Sequence, residues 1–397
     1  MTRLEELIGQ LCPDGVEYKE IGSIAVLGAG GDVPKARFSA EKTVEFNIPI
    51  YSNGIEEKAI YGYTDIPKVD EPSITISARG TIGWCALRKE PFYPIVRLIY
   101  VTPNTEILVD FLKYVIDTIK FKVPKTGIPQ LTIPMVSKYK VPVPPFAVQR
   151  EIVRILDNFT ELTAELTAEL TARKKQYEYY RDKLLTCDDN IVVKRIGDIT
   201  QVFSASRVHK DEWTTEGVPF YRSSDVISYF NGVENSRGKA YISKELYEKL
   251  SAKSGKICKD DILITGGGTI GVPYIVPNDD PIYMKDADLL CIQHSKEFDS
   301  RYLYHYFLST PFRDYLKGIT HDATIPHYTI SQICKTPVPL PSLDVQKRIV
   351  NVLDNFDAIC SDLKIGLPAE IEARKKQYEY YRDQLLTFAE SGRMLVD

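Results

Sequence analysis

The segment Ala172-Arg-Lys-Lys-Gln-Tyr-Glu-Tyr-Tyr-Arg-Asp-Lys-Leu-Leu-Thr186 returns, with one substitution, as Ala373-Arg-Lys-Lys-Gln-Tyr-Glu-Tyr-Tyr-Arg-Asp-Gln-Leu-Leu-Thr387. Upstream, Val148-Gln149 and Leu156-Asp157-Asn158-Phe159 return as Val345-Gln346 and Leu353-Asp354-Asn355-Phe356. What lies between the copies is far less alike. A chain that repeats its helices but not the pieces they join builds one frame twice and carries two different modules on it. That arrangement suits reading two different things at a set separation.

The modules share a plan. From about 16 to 145, short β-rich runs are split by Gly, Pro and Asn. Ser73–Ser77, Trp84–Leu87, Ile95–Val101 and Lys140–Val143 are expected strands, and Glu106–Ile119 an expected helix. Residues 4–11 predict a short amphipathic helix before this module. From about 188 to 341 the landmarks recur in order. Lys194-Arg195-Ile196-Gly197 answers Lys19-Glu20-Ile21-Gly22, and Pro219-Phe220-Tyr221 answers Pro49-Ile50-Tyr51. Gly268-Thr-Ile-Gly271 answers Gly80-Thr-Ile-Gly83, and Val338-Pro-Leu-Pro341 answers Val141-Pro-Val-Pro144. Their offsets drift, so scaffold is kept while loops diverge, and loops are where recognition residues sit.

Each module runs through a Pro-rich hinge into a long helix, expected over 147–186 and 343–388. In the first, Ile152, Ile155, Leu156, Phe159, Leu162, Leu166, Leu170, Tyr177, Tyr180 and Leu184 step by three or four, a stripe for a partner helix. Gly366 and Pro368 should kink or interrupt the second. Thr163-Ala-Glu-Leu-Thr-Ala-Glu-Leu170 is a tandem four-residue repeat.

The 397 residues suffice for two or three domains. No stretch approaches a membrane span, and no signal peptide opens the chain, so a cytoplasmic protein with no membrane partner is expected. Seven cysteines without a CxxC pair fit a reducing compartment. No zinc-type Cys/His spacing occurs, so no metal site is expected. Net charge is −4, whereas a chain that grips nucleic acid alone usually carries a basic excess. DNA binding here would need local charge patterning or a more basic partner.

Motifs for catalysis fail on context. Gly266-Gly-Gly-Thr-Ile-Gly271 matches a dinucleotide fingerprint, but the strand-like Val272-Pro-Tyr-Ile-Val-Pro277 follows where a helix is required. A tight strand–strand turn is expected. Val143-Pro144-Pro145-Phe146 resembles an adenine methyltransferase box but lacks its polar first residue. There is no P-loop and no nuclease-type metal cluster, so a non-catalytic chain without cofactors is expected.

The Val-Pro-x-Pro ends followed by Gln149 and Gln346, the Arg-Lys-Lys-Gln-Tyr-x-Tyr-Tyr-Arg helix ends and the Thr-Ala-Glu-Leu repeat together resemble the specificity subunit of Type I restriction–modification systems. The resemblance covers the whole chain. It implies an α+β protein with an internal pseudo-twofold repeat: two globular α/β target-recognition domains separated by two long antiparallel helices, a coiled coil. The domains would be 1–145 with its short N-terminal helix, the spacer helix 146–187, 188–341, and the spacer helix 342–397. It implies double-stranded DNA as ligand, read as a bipartite sequence, with two methyltransferase (modification) subunits and the restriction (translocase–nuclease) subunits as partners. S-adenosylmethionine, ATP and Mg²⁺ would belong to those partners. The competing readings are a protein–protein scaffold with two recognition modules and a self-contained DNA methyltransferase or nuclease.

Arg and Lys suit guanine, and Asn and Gln suit adenine. Candidate DNA contacts near the shared landmarks are Lys35, Arg37, Ser52, Asn53, Arg79, Lys125 and Gln130 in the first module. In the second they are Arg207, Arg222, Ser223, Arg237, Lys239, Thr269, His321 and His327. Tyr177, Tyr180, Tyr378 and Tyr381, which occur twice in one setting, are candidates for docking a repeated subunit.

Overall fold

The computed structural model describes residues 3–123, 129–186, 191–233, 238–320, 326–362 and 364–388. The chain forms two compact units, Met1–Glu165 with Glu372–Asp397, and Leu166–Ile371.

Both units repeat one topology. In the first, a four-stranded antiparallel sheet runs in the order Ala25–Ala29, Ile99–Pro103, Ser73–Ile76, Cys85–Arg88. In the second the order is Val202–Ser204, Leu289–Ile292, Ile262–Thr265, Pro273–Ile275. Ser73–Ile76 and Ile262–Thr265 are buried at every position, and the polar members of the first, Ser73 and Thr75, have their hydroxyls hydrogen-bonded to Thr102 and to the carbonyl of Ala86. A second sheet joins Ile60–Thr64, Ile48–Tyr51 and Tyr93–Pro94 in one unit. Its counterpart joins Trp213–Thr214, Tyr241–Ile242, Val218–Tyr221 and Tyr283–Met284. In both, the last pair is parallel.

A two-stranded ribbon sets each module's start against its Val-Pro-x-Pro end: Tyr18–Glu20 on Lys140–Pro142, and Val193–Arg195 on Pro337–Pro339. The Ile-Gly landmarks follow at once, where a short helix crosses close by. A Cβ on Gly22 would come 2.9 Å from Cβ of Ser137, and one on Gly197 2.9 Å from Cβ of Cys334.

Phe146–Leu185 is a single helix of 40 residues. In the first unit its Val148, Ile152 and Leu156 share a core with Phe111, Leu112, Val115, Leu385 and Leu386. In the second, Tyr177 and Leu185 share a core with Tyr302, Tyr306, Ile349 and Leu353. The helix expected over 343–388 is two helices, Leu343–Ser361 and Leu367–Leu386. Between them Asp362 Oδ1 accepts the N–H of Lys364 (2.6 Å) and of Ile365 (3.1 Å). Gly366 packs on the carbonyls of Ala358, Asp362 and Ile359, where a Cβ would lie 2.6–2.9 Å away. Pro368 then takes the second position of the new helix, where its missing N–H costs nothing.

Two local expectations differ from the structure. The strand expected over 95–101 starts only at Ile99, because Val96 and Arg97 adopt φ of 51° and 60°. The helix expected from Glu106 starts at Val109. The helices Ser223–Phe230 and Lys244–Ser254 are inserted between strands of the second module, and they lengthen its chain between Tyr221 and Ile262 relative to that between Tyr51 and Ser73. Gly266–Gly271 is the strand–strand turn expected, joining Ile262–Thr265 to Pro273–Ile275. Gly268 and Gly271 sit at φ of 73° and 75°, and their counterparts Gly80 and Gly83 at 69° and 87°, so both modules make the same turn.

Candidate nucleic-acid interface

The repeated residues build the frame that positions the loops. Gln149 is fully buried, and its Oε1 accepts the N–H of Leu108 at 2.8 Å. Its Nε2 donates to the carbonyls of Pro144 (2.7 Å) and Glu106 (3.2 Å). Gln346, equally buried, takes the N–H of Asp299 at 2.9 Å and donates to the carbonyls of Pro341 (2.8 Å) and Glu297 (3.4 Å). One amide thus ties the end of each module, the start of its long helix and the lead-in to its buried helix. Lys19 to Glu106 and Lys194 to Glu297, both at 2.6 Å, repeat the same join outside.

The tyrosines of the repeated helix ends take part in packing. Tyr381 stacks on Phe159 (5.5 Å between centroids, 24° between planes) and Tyr180 on Phe356 (5.8 Å, 24°). Tyr378 packs against the first unit's core. Tyr177 is buried, with its hydroxyl 3.1 Å from Nδ1 of His305, and burial pushes its phenol well above the ordinary value. Tyr177 therefore serves the core and not a docking surface, which corrects that expectation. Tyr180 and Tyr381 keep a solvent-facing side, and their neighbours Tyr179 and Tyr380 are the most exposed, at 60% and 57%.

In the first module the structure brings Arg79 and Gln130 together. Gln130 Oε1 accepts from Arg79 Nε at 3.2 Å and Arg79 Nη2 at 2.8 Å. A residue absent from the sequence expectations, Arg97, joins them: its Nη1 lies 3.3 Å from the same oxygen. Asn53 stands behind this cluster, donating to the carbonyl of Val96 and accepting from the N–H of Ala78, both at 2.7 Å. With one bond at each end of its amide, Asn53 holds the loops together. Ser52 bonds back to Ala59. Lys35 and Arg37 form an exposed turn in which Arg37 lies 3.4 Å from Asp65.

In the second module Ser223 lines a cavity of about 690 Å³, with Lys210, Trp213, Gly267, Gly268, Lys285 and Asp288 around it. Ser223 Oγ donates to the carbonyl of Asp288, and Lys285 pairs with the Asp288 carboxylate at 2.5 Å. Thr269 is exposed on the adjoining Gly-rich turn, and His327 borders Gly267 on its other side. Arg207 and Lys239 are exposed. Arg222 borders the same cavity but is largely buried, and its guanidinium grips Asp225 through Nε (2.8 Å) and Nη2 (2.9 Å). That hydrogen-bonded carboxylate holds its pKa above the ordinary value, and the pair caps the helix Ser223–Phe230. Lys125, Arg237 and His321 lie outside the described residues.

Both modules thus present polar donors on diverged loops above a common scaffold, and donor-rich loops can read base edges or anchor phosphates. Among the described residues no helix is long and apolar enough to cross a membrane.

The sequence model of the type I restriction modification DNA specificity domain matches residues 13–173 and again 188–373. A candidate type I restriction enzyme specificity subunit of Haemophilus influenzae is 36% identical over 66% of this chain. The type I restriction enzyme EcoR124I/EcoR124II specificity subunit of Escherichia coli is 30% identical over 64%. The matched stretch spans 66% and 64% of those two relatives' own length. Among solved structures, the type I restriction–modification S subunit of M. genitalium aligns over 94% of this chain and 95% of its own, with TM-score 0.51 and 17% identity. A chain solved in work on the complex assembly and conformational transition of the type I restriction–modification system aligns over 94% and 98%, with TM-score 0.62 and 15% identity. A domain model matched twice, once on each half of an internally repeated fold, places the chain: it belongs to the type I restriction–modification DNA specificity family.

Proposed function

We propose that this chain reads a bipartite double-stranded DNA sequence, one half per module, and directs methyltransferase and restriction subunits to it. The observation that carries this reading is the repetition of the buried frame, Gln149 with Gln346 and Phe159/Tyr381 with Phe356/Tyr180, beneath loops that differ. A frame kept twice serves one repeated partner, so two identical methyltransferase subunits dock on it. Loops that differ read different half-sites. The Escherichia coli relative is part of a restriction enzyme of this type, which supports restriction subunits as further partners. The chain is proposed to be non-catalytic. S-adenosylmethionine, ATP and Mg²⁺ are proposed to be held by those partners. With a net charge of −4, affinity for DNA is shared with them.

The test is methylation by the purified chain with and without its methyltransferase subunits, mapped on genomic DNA. The expected result is a two-part motif with an unread spacer from the complex and no methylation from the chain alone. Methylation by the chain alone, or a complex without sequence preference, would contradict it.

A further inference from the structure

We propose that Arg79, Arg97 and Gln130 form a guanine-reading centre in the first module, and that Arg79 sets the base preference by occupying the oxygen of Gln130. This rests on the DNA-reading function proposed above and names the chemistry by which one module carries it out.

The backbone supplies the first observation. Val96 and Arg97 both sit in the left-handed region, at φ of 51° and 60°, where a β-branched residue is a genuine outlier. The turn is held from three sides: Val96 N–H on the carbonyl of Gly31, Arg97 N–H on that of Gly30, and the Asn53 amide on the carbonyl of Val96. The strain buries nothing, since Val96 is 49% exposed. What the turn achieves is the placement of the Arg97 guanidinium beside Arg79 on one amide oxygen. Strain that the surroundings over-determine is typical of binding loops.

The charges supply the second. Among the described residues neither Arg79 nor Arg97 pairs with a carboxylate, and both lean on the neutral oxygen of Gln130. Two guanidiniums sharing an uncharged acceptor leave most of their donors, and both positive charges, uncompensated.

The direction of the amide supplies the third. A guanidinium only donates, so the atom facing Arg79 and Arg97 must be the oxygen of Gln130, and its NH₂ faces away. Glutamine ordinarily reads adenine by accepting from N6 and donating to N7. Here the accepting half is already taken. The groups left to a ligand, the Gln130 NH₂ and the unused N–H groups of Arg97, are donors only. A donor-only edge matches guanine, which offers N7 and O6 as two acceptors in the major groove. It opposes the amino groups of adenine and cytosine, and finds a single acceptor on thymine. Arg97 and Gln130 are the contacting residues in this account, and Arg79 is the positioning residue.

The test uses the complex assembled with methyltransferase subunits. Initial methylation rates are measured on duplexes varied at each position of the half-site assigned to the first module. Arg97→Gly removes the guanidinium and suits the backbone angle, so the fold is retained. Arg97→Lys keeps charge without the fork, and Arg79→Met frees the Gln130 oxygen to turn outward. Wild type is expected to require guanine at one position. Arg97→Gly should lower discrimination there by roughly 5–150-fold, with Arg97→Lys in between, and leave the second half-site intact. Arg79→Met should raise the adenine-to-guanine rate ratio at a single position. A half-site without guanine, an Arg97→Gly that slows every sequence equally, or an unmoved adenine-to-guanine ratio in Arg79→Met overturns the proposal. A wild-type complex with no sequence preference instead removes the DNA-reading function beneath it.

Discussion

Nε2 of His305 lies 2.7 Å from Oδ1 of Asp354, and in the matching place of the other module the hydroxyl of Tyr114 lies 2.6 Å from Oδ1 of Asp157. The acceptor is the same in both, the aspartate of Leu-Asp-Asn-Phe, while the donor differs. Each module's buried helix is latched to the frame through this carboxylate. Arg301 joins the latch in the second module, and its hydrogen bond, with that of His305, holds the Asp354 carboxyl below its ordinary value despite burial. The repeated frame residue has stayed constant while its partner on the variable side has changed.

The buried amides give the first prediction. Gln149→Leu leaves the N–H of Leu108 and the carbonyls of Glu106 and Pro144 without this partner. An unsatisfied buried group costs about 1–3 kcal/mol. Hydrogen exchange should show loss of protection in the helix Val109–Thr118 by at least that much, with the second unit unaffected.

A second prediction concerns acid. Asp182 Oδ1 accepts the N–H of Thr310, the first residue of the helix Thr310–Thr320. Burial works to raise the Asp182 pKa, but the hydrogen bonds from Thr310 and the charge of Arg181 outweigh it and hold the carboxyl below its ordinary value. A depressed carboxyl contributes stability that is complete above the unfolded value of about 3.9 and is lost as pH falls through the lower folded value. Protection of the first turn of that helix should persist from neutral pH to about 4 and fail below it. Asp182→Ala should cost about 1 kcal/mol there at neutral pH and abolish the acid step.

Docking is predicted to use Tyr179 and Tyr380, the most exposed of these rings, and not the buried Tyr177. Tyr179→Ala and Tyr380→Ala should each leave stability within about 0.5 kcal/mol and lower the number of methyltransferase subunits retained per chain, read by native mass spectrometry. Tyr177→Ala should instead destabilise the second unit by about 3 kcal/mol. Full retention of two subunits in the Tyr179/Tyr380 double variant would remove these rings from the interface.

The frame was legible because it is written twice, and the break at Gly366 because Gly and Pro have few other uses within a helix. Burial of Tyr177 was legible too: it stands on the same apolar stripe as Leu170 and Leu184, a stronger signal than its repetition. The role of Arg222 had a local signal in Asp225, three residues on, the spacing of a capping box. Arg97 had none. Val96-Arg97 reads as strand, and a backbone forced into the left-handed region leaves no mark on residue type when neither residue is glycine. The two-ended use of Asn53 was equally hidden, since its partners Ala78 and Val96 are distant in sequence.

The Thr-Ala-Glu-Leu repeat lies within the unbroken helix Phe146–Leu185, with Thr163 and Thr171 bonding back to Phe159 and Thr167. Four helical residues turn by a net 40° or so and advance by about 6 Å. One base pair turns by roughly 34–36° and advances by about 3.4 Å. Deleting Thr163–Leu166 keeps the apolar stripe near one face and should shorten the unread spacer by about one base pair, with both half-sites unchanged. Methylation mapping of an active deletion variant with an unaltered spacer would refute a ruler role.

The central claim is that two modules on one repeated frame read two half-sites independently. Exchange of residues 16–145 for the corresponding module of a relative, followed by genome-wide methylation mapping of cells expressing the assembled system, tests it most directly. The account predicts that one half-site changes while the other half-site and the spacer stay the same. A motif altered in both halves, or in neither, would contradict it.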